Sequence, residues 1–369
     1  MTKRSFLAVI PVAAALFASG CVSTAGGNNK VEASESQCKS SVSEIAAGTH
    51  RFQVTNNGQK VTEVEFLTPD GRAVGEIENV GPSTTRDLTV DLEPGSYEIA
   101  CRPEMKGFGV RTPLKVTGTN TTEPLDPALA SALASYRGYV DEQADLALTR
   151  TKDFAAAVKS RDVEKAKALY PSSREPWERI EPIAESFGDL DPRVDAREGD
   201  LEEGVRWTGW HRLEKDLWVS GLQGDSGEIA DTLLADLGEL KTKVTEVDLK
   251  PAQISEGARA LLDEIATGKV TGEEERYSHT DLVDLNANLE GSKRAIESLR
   301  PYLESKDKAL LESIDERMQS AFNEVALYKS GDSFINYEQV NETQRKALAT
   351  KIEALSEPIS KVTGVVTNK

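Results

Sequence analysis

Gly118-Thr-Asn-Thr-Thr-Glu-Pro124 divides the chain into two regimes, and the fold follows from what lies on each side. Before it, alternating or β-branched runs (Arg51-Phe-Gln-Val-Thr55, Val61-Thr-Glu-Val-Glu-Phe66, Asp87-Leu-Thr-Val-Asp-Leu92, Ser96-Tyr-Glu-Ile-Ala100) are separated by turn signals at Asn57-Gly58, Asp70-Gly71 and Pro94-Gly95. Short strands at regular spacing predict an all-β sandwich over residues 37–118. After a linker at 119–126, apolar residues recur every three or four positions. Leu129, Leu133, Tyr136 and Val140 form one such series, Leu233, Leu237 and Leu240 another. Leu282, Leu285 and Leu289 follow, then Leu311, Ile314, Met318, Phe322 and Val325. This predicts an all-α helical bundle over 127–369, large enough for two stacked bundles. Within it Pro176 is expected to open a helix and Pro182 to kink it.

Outward from this division, the first residues carry Lys3 and Arg4, an apolar stretch from Phe6 to Phe17, and then Ala18-Ser-Gly-Cys21. That is the charged, apolar and small-residue order of a secretory signal, too short and wrongly flanked for a spanning helix. The site is similar to a bacterial lipobox, with Ala18 where Leu is preferred, so Cys21 is expected to be lipidated and to become the first mature residue. Residues 1–20 are then the signal peptide. Small polar residues from 21 to 36 read as a flexible tether. No second apolar run approaches the roughly 20 residues of a span.

With 62 acidic against 44 basic residues, the net charge of −18 excludes nucleic acid as a partner, because that binding needs Lys and Arg on phosphates. It favours cations, or serves solubility alone.

Thr208-Gly-Trp-His-Arg-Leu-Glu-Lys-Asp-Leu-Trp218 carries the most chemical information. His211 and Glu214 are three apart, so on a helix they share a face and can converge on one cation; the same spacing also suits an ordinary surface pair. Glu178, Glu181 and Glu185 fall on one helical stripe, which reads as a ligand set or as a solvated face. Asp236 is in register with Leu233 and Leu240 on an apolar stripe. A buried acid there must be ion-paired, capped or metal-bound.

The segment Gly209-Trp-His211-Arg-Leu-Glu214 resembles the G-x-H-x-x-E signature of the imelysin or M75 family. Ile180-Glu-Pro-Ile-Ala-Glu-Ser-Phe-Gly-Asp-Leu-Asp-Pro192, and the run from Gly272 to Gly291, are similar to the EfeO-type iron uptake branch of that family, which joins a cupredoxin-like domain to an imelysin domain. The resemblance implies a metal site of His211, Glu214, Glu178, Glu181, Asp236 and a glutamate just before Tyr277, taken as Glu274 rather than Glu275. Oxygen-rich ligation with one imidazole suits iron better than Cu(I). It also implies iron as cargo, a membrane iron permease and a haem peroxidase as partners, and a periplasmic or cell-surface location.

Cys38 and Cys101 are the cysteines that remain after lipidation, and in an exported sandwich they read as a disulfide. The stretch Leu92 to Cys101 resembles the approach to a cupredoxin copper loop. A blue-copper centre needs two histidines and a thiolate, whereas His50 is alone here and Glu63 stands near the expected first histidine. The resemblance implies instead a second metal site of Cys38, Glu63, Cys101 and nearby acids. Disulfide and metal site exclude one another.

The family is classed with peptidases. A zincin needs H-E-x-x-H and an inverzincin H-x-x-E-H, and Lys215 occupies the place of the second His. The expectation is therefore an exported iron carrier rather than an enzyme. Its rivals are a metallopeptidase and a helical module binding polysaccharide or a protein partner.

Overall fold

A computed structural model of the protein describes residues 29–119, 125–201 and 204–367. The signal segment and Cys21 lie outside the described residues. Nine strands build the first domain: β1 (Asn29–Ser34), β2 (Gln37–Ser40), β3 (Glu44–Ala46), β4 (Gly48–Asn56), β5 (Thr62–Leu67), β6 (Ala73–Val80), β7 (Thr85–Leu92), β8 (Gly95–Pro103) and β9 (Val110–Thr117). They form a four-stranded sheet ordered β2-β1-β4-β7 and a five-stranded sheet ordered β3-β9-β8-β5-β6. Between the sheets pack Val31, Val54, Ile77, Leu88, Ile99 and Leu114, with the Phe52 and Phe66 rings 4.7 Å apart.

The sandwich starts earlier than the sequence reading placed it, since β1 lies inside the stretch read as tether. Val31 and Ala33 point inward, and β1 pairs in parallel with β4, Val31 opposite Val54. Two small inward residues are too short a period-two signal to stand out against a polar background.

On β5, Val64 and Phe66 enter the core, so Glu63 and Glu65 face the other way. They are nevertheless buried, at 2% and 6% exposure. The cause is the second domain, which packs against β6 and covers this face.

That domain comprises α1 (Pro127–Lys159), α2 (Val163–Glu178), α3 (Leu190–Val194), α4 (Gly209–Lys215), α5 (Ser226–Glu246), α6 (Pro251–Thr267), α7 (Asp281–Lys306), α8 (Lys308–Ala326), α9 (Glu342–Ile359) and α10 (Val362–Thr367), with a short hairpin at 329–334. The periodic residues of the sequence are its core: Tyr136 and Val140 on α1, Leu233 and Leu237 on α5, Leu285 and Leu289 on α7, Ile314 and Met318 on α8. α1 packs on α2, α5 and α7, while α6 packs on α7 and α9. Salt bridges from Arg86 to Asp263 and from Lys250 to Glu93 at 2.9 Å tie the two domains together.

Pro176 does not open a helix but lies inside α2. The carbonyl of Ser172, deprived of the Pro176 N–H, accepts a hydrogen bond from Arg150 Nη1 at 3.1 Å instead. α2 stops at Glu178, and Glu181–Phe187 is a 3-10 segment carrying Pro182. The Glu178 carbonyl, which Pro182 cannot satisfy, accepts from Asn288 Nδ2 at 3.0 Å. Glu178, Glu181 and Glu185 therefore do not form one α-helical stripe.

Candidate metal centre

α4 is short, and its start is fixed by one glycine. Gly209 has φ +84°, and a Cβ there would stand 2.2 Å from the carbonyl oxygen of Val194. Only glycine permits that approach. It places the residue after Val194, Asp195, beside His211.

His211 is 1% exposed. Its Nδ1 is 3.3 Å from Glu214 Oε2 and 3.9 Å from Glu275 Oε1. Its Nε2 is 3.5 Å from Asp195 Oδ1 and 3.6 Å from Glu274 Oε1, and has no hydrogen-bond partner. The ring thus stands between two carboxylate pairs, one on each nitrogen. Each pair with the imidazole has ligand atoms within 4.8 Å of one another, close enough to hold an ion.

The backbone supports the Nδ1 side. Glu214 Oε1 accepts the amides of Tyr277 at 2.9 Å and Ser278 at 2.7 Å, which fastens the loop carrying Glu274 and Glu275 onto α4. Glu275 accepts from Tyr170 Oη at 3.2 Å and Ser278 Oγ at 2.6 Å.

Two internal cations neutralise the cluster. Arg174, wholly buried, pairs with Glu178, Asp195, Glu274, Glu275 and Asp284. Lys269, 3% exposed, reaches Glu181 at 2.6 Å, Glu178 at 3.3 Å and Glu274 at 3.7 Å. Burial and the Arg174 charge oppose protonation of His211, but the carboxylates of Glu214, Glu274 and Glu275 outweigh them and raise it to about 10. Burial, with the Glu214 charge, pushes Glu275 up to about 8. Burial acts on Glu274 in the same sense, yet Lys269, Arg197 and His211 hold it well below the usual carboxylate range.

The structure brings His211, Glu214 and Glu274 together as the sequence reading expected. Glu178 and Glu181 sit one step away, joined to Glu274 through Lys269 rather than to His211. Asp236 is not at the centre. It is buried as its register predicted, but pairs with Arg193, the alternative open at that position, and so anchors α3 just ahead of Asp195. Sequence reasoning missed Asp195 and Arg174, which no spacing links to His211, and set aside Glu275, which faces the second ring nitrogen.

In the sandwich Cys38 and Cys101 are joined in a disulfide that ties β2 to β8 across the two sheets. Their sulfurs are not free to hold a metal, so a site of Cys38, Glu63 and Cys101 does not form. Glu63 instead groups with Glu65 and Glu76, within 4.8 Å. Arg102 bridges Glu63 at 3.0 Å and Glu65 at 3.5 Å.

A β-sandwich joined to a helical domain with one buried imidazole among carboxylates defines a two-domain class. The chain belongs to the imelysin family: that family's model matches residues 132–362, and a cupredoxin-like domain model matches residues 7–111. Over nearly its whole length it is similar to proteins named iron uptake system component EfeO. It is 36% identical over 362 residues to that of Escherichia coli O6:H1 (strain CFT073), covering 96% of each chain, and equally to that of Shigella flexneri. A crystal structure of a putative iron-regulated protein A precursor from Parabacteroides distasonis aligns with 67% of this chain and 96% of its own, at 14% identity and a TM-score of 0.43.

Proposed function

We propose that this protein is an exported, lipid-anchored iron-binding component of a bacterial iron uptake system, which captures ferrous or ferric ion at the His211 centre and delivers it to a membrane permease. The observation that carries the reading is a buried imidazole with an unpartnered Nε2, within 3.9 Å of carboxylate oxygens from Asp195, Glu214, Glu274 and Glu275. Hard oxygen donors with one nitrogen suit iron. The relatives named as iron uptake components, similar over 96% of the chain, support the cargo.

The partners in this reading are a membrane iron permease and a haem peroxidase. Lipidation of Cys21 places the protein at the periplasmic or outer surface of a membrane; no helix among the described residues is long and apolar enough to cross one. Cys21→Ser should move the protein into the soluble fraction, and unchanged membrane association would count against the anchor. A second ion in the sandwich would rest on Glu63, Glu65 and Glu76, without sulfur.

The peptidase reading finds less support. Lys215, where a second ligand histidine would stand, pairs with Glu198. His50 bonds the Ala46 carbonyl at 2.7 Å and His279 lies 3.6 Å from Glu338, so the other two imidazoles are engaged elsewhere. Anaerobic calorimetry with ferrous ion should give a tight equivalent that His211→Ala abolishes. Retention of that equivalent in the variant would defeat the reading.

A further inference from the structure

Between the two domains lies a cavity of about 590 Å³. Fourteen acidic side chains line it, six from the sandwich and eight from the helical domain, against five arginines. Those arginines are all engaged by acids: Arg102 by Glu63, Arg111 by Glu98, Arg193 by Asp236, Arg197 by Glu274 and Arg206 by Glu228. On the sandwich wall Glu76 Oε2 is buried without a hydrogen-bond partner. On the opposite wall stand Asp195 and Glu274, the two acids that flank the buried, unpartnered Nε2 of His211. Glu214 and Glu275, on the Nδ1 side, do not line the cavity and are closed off by the Tyr277–Ser278 amides and Tyr170. The centre therefore has an open side and a shut side.

We infer that this interdomain cavity is the route by which metal reaches the His211 centre, and that it admits a hydrated cation while turning away anionic chelates of the same metal. This rests on the reading of the His211 cluster as an iron site. A cleft in which acids outnumber cations, set between low-dielectric walls, concentrates cations and raises their association rate. Six waters at about 30 Å³ each occupy roughly 200 Å³, so the cavity has room for an ion that still carries its hydration shell. Carboxylates along the walls can then replace those waters one at a time. A chelate bearing net negative charge meets repulsion from both domains. The sandwich becomes half of the entrance, and the helical domain alone would leave the centre's open side facing bulk water.

The test is stopped-flow tryptophan fluorescence of the full chain mixed with ferrous ion under argon, since Trp177 Nε1 lies 3.1 Å from Asp195 and the Trp210 ring faces Arg174. Asp70→Asn combined with Glu104→Gln, two sandwich acids at the cavity outside the Glu63–Glu65–Glu76 group, should slow association about tenfold at low salt, with dissociation rate and stoichiometry unchanged. The difference should vanish near 1 M salt, where screening is nearly complete. Iron offered as its anionic citrate complex should load only as fast as citrate releases it, whatever the protein concentration. Equal association rates in a folded double variant, or loading from citrate in proportion to protein concentration, would overturn the inference. Should the sandwich variant not fold, Asp189→Asn on the facing wall, an exposed acid, reads the same rate. Binding that survives His211→Ala would defeat the assignment of the centre instead, a separate outcome.

Discussion

Glu214 Oε2 stands 3.3 Å from His211 Nδ1 while its other oxygen accepts two backbone amides, so one carboxylate both orients the imidazole and fastens the loop that supplies Glu274 and Glu275. Glu214→Gln keeps an acceptor for the amides and removes the charge beside the ring. Iron affinity should fall about 10- to 100-fold, as for other groups that orient a metal-binding histidine. The melting temperature of the metal-free protein should change little. Strong destabilisation with unchanged affinity would make the pair a purely structural contact.

Metal-free protein should lose stability as pH rises. His211 titrates near 10 when folded, above its ordinary 6.5, so its contribution is complete below about pH 6.5 and is lost as pH rises through about 10. Glu275, raised to about 8, acts in the same sense, because the unfolded chain gives up that proton near 4.5. Iron must displace the imidazole proton, so its apparent affinity should climb over the same window. Thermal melts between about pH 6 and 8.5, with and without ferrous ion, should show the two curves diverging. A metal-free melting temperature that increases over this range would contradict the assignment.

Arg174→Met should be costly for the metal-free protein. It leaves five buried carboxylates without their shared cation, a loss on the order of 3–5 kcal/mol, or roughly 10 °C for a domain of this size. Differential scanning fluorimetry should then find a larger rise on adding ferrous ion than in the wild type. An unchanged melting temperature would show that the guanidinium does not hold the cluster together.

Replacing Cys38 and Cys101 by alanine should cost the sandwich about 2–5 kcal/mol, without altering iron stoichiometry at His211. The unreduced, denatured mature protein should show no titratable thiol. Two thiols in protein prepared under air would restore the sulfur-containing metal site.

The two domains were legible because each has a regular period. Alternation with turn dipeptides marks the strands, and the three-four spacing of Leu233, Leu237 and Leu240 marks a helix face. The boundary at β1 was not, because Val31 and Ala33 are two small residues in a polar run. Half of the centre was legible for the same reason: His211 and Glu214 are bound by local spacing. Asp195 arrives through a backbone contact between Val194 and Gly209, which leaves no mark at any fixed offset. Asp236 announced its burial by register but not its partner, because Arg193 comes from a different helix. Choosing between Glu274 and Glu275 on a sequence basis had no answer, since the loop presents one to each side of the ring.

Lys269 sits among Glu178, Glu181 and Glu274 as a cation that belongs to the chain itself. The acids around the centre thus have a resident ammonium that offsets their mutual repulsion. On the proposed function, loading and unloading would then be an exchange of partners rather than the making and breaking of a fold. If the proposed function holds, a chain so furnished would be emptied and refilled repeatedly, as a courier must be.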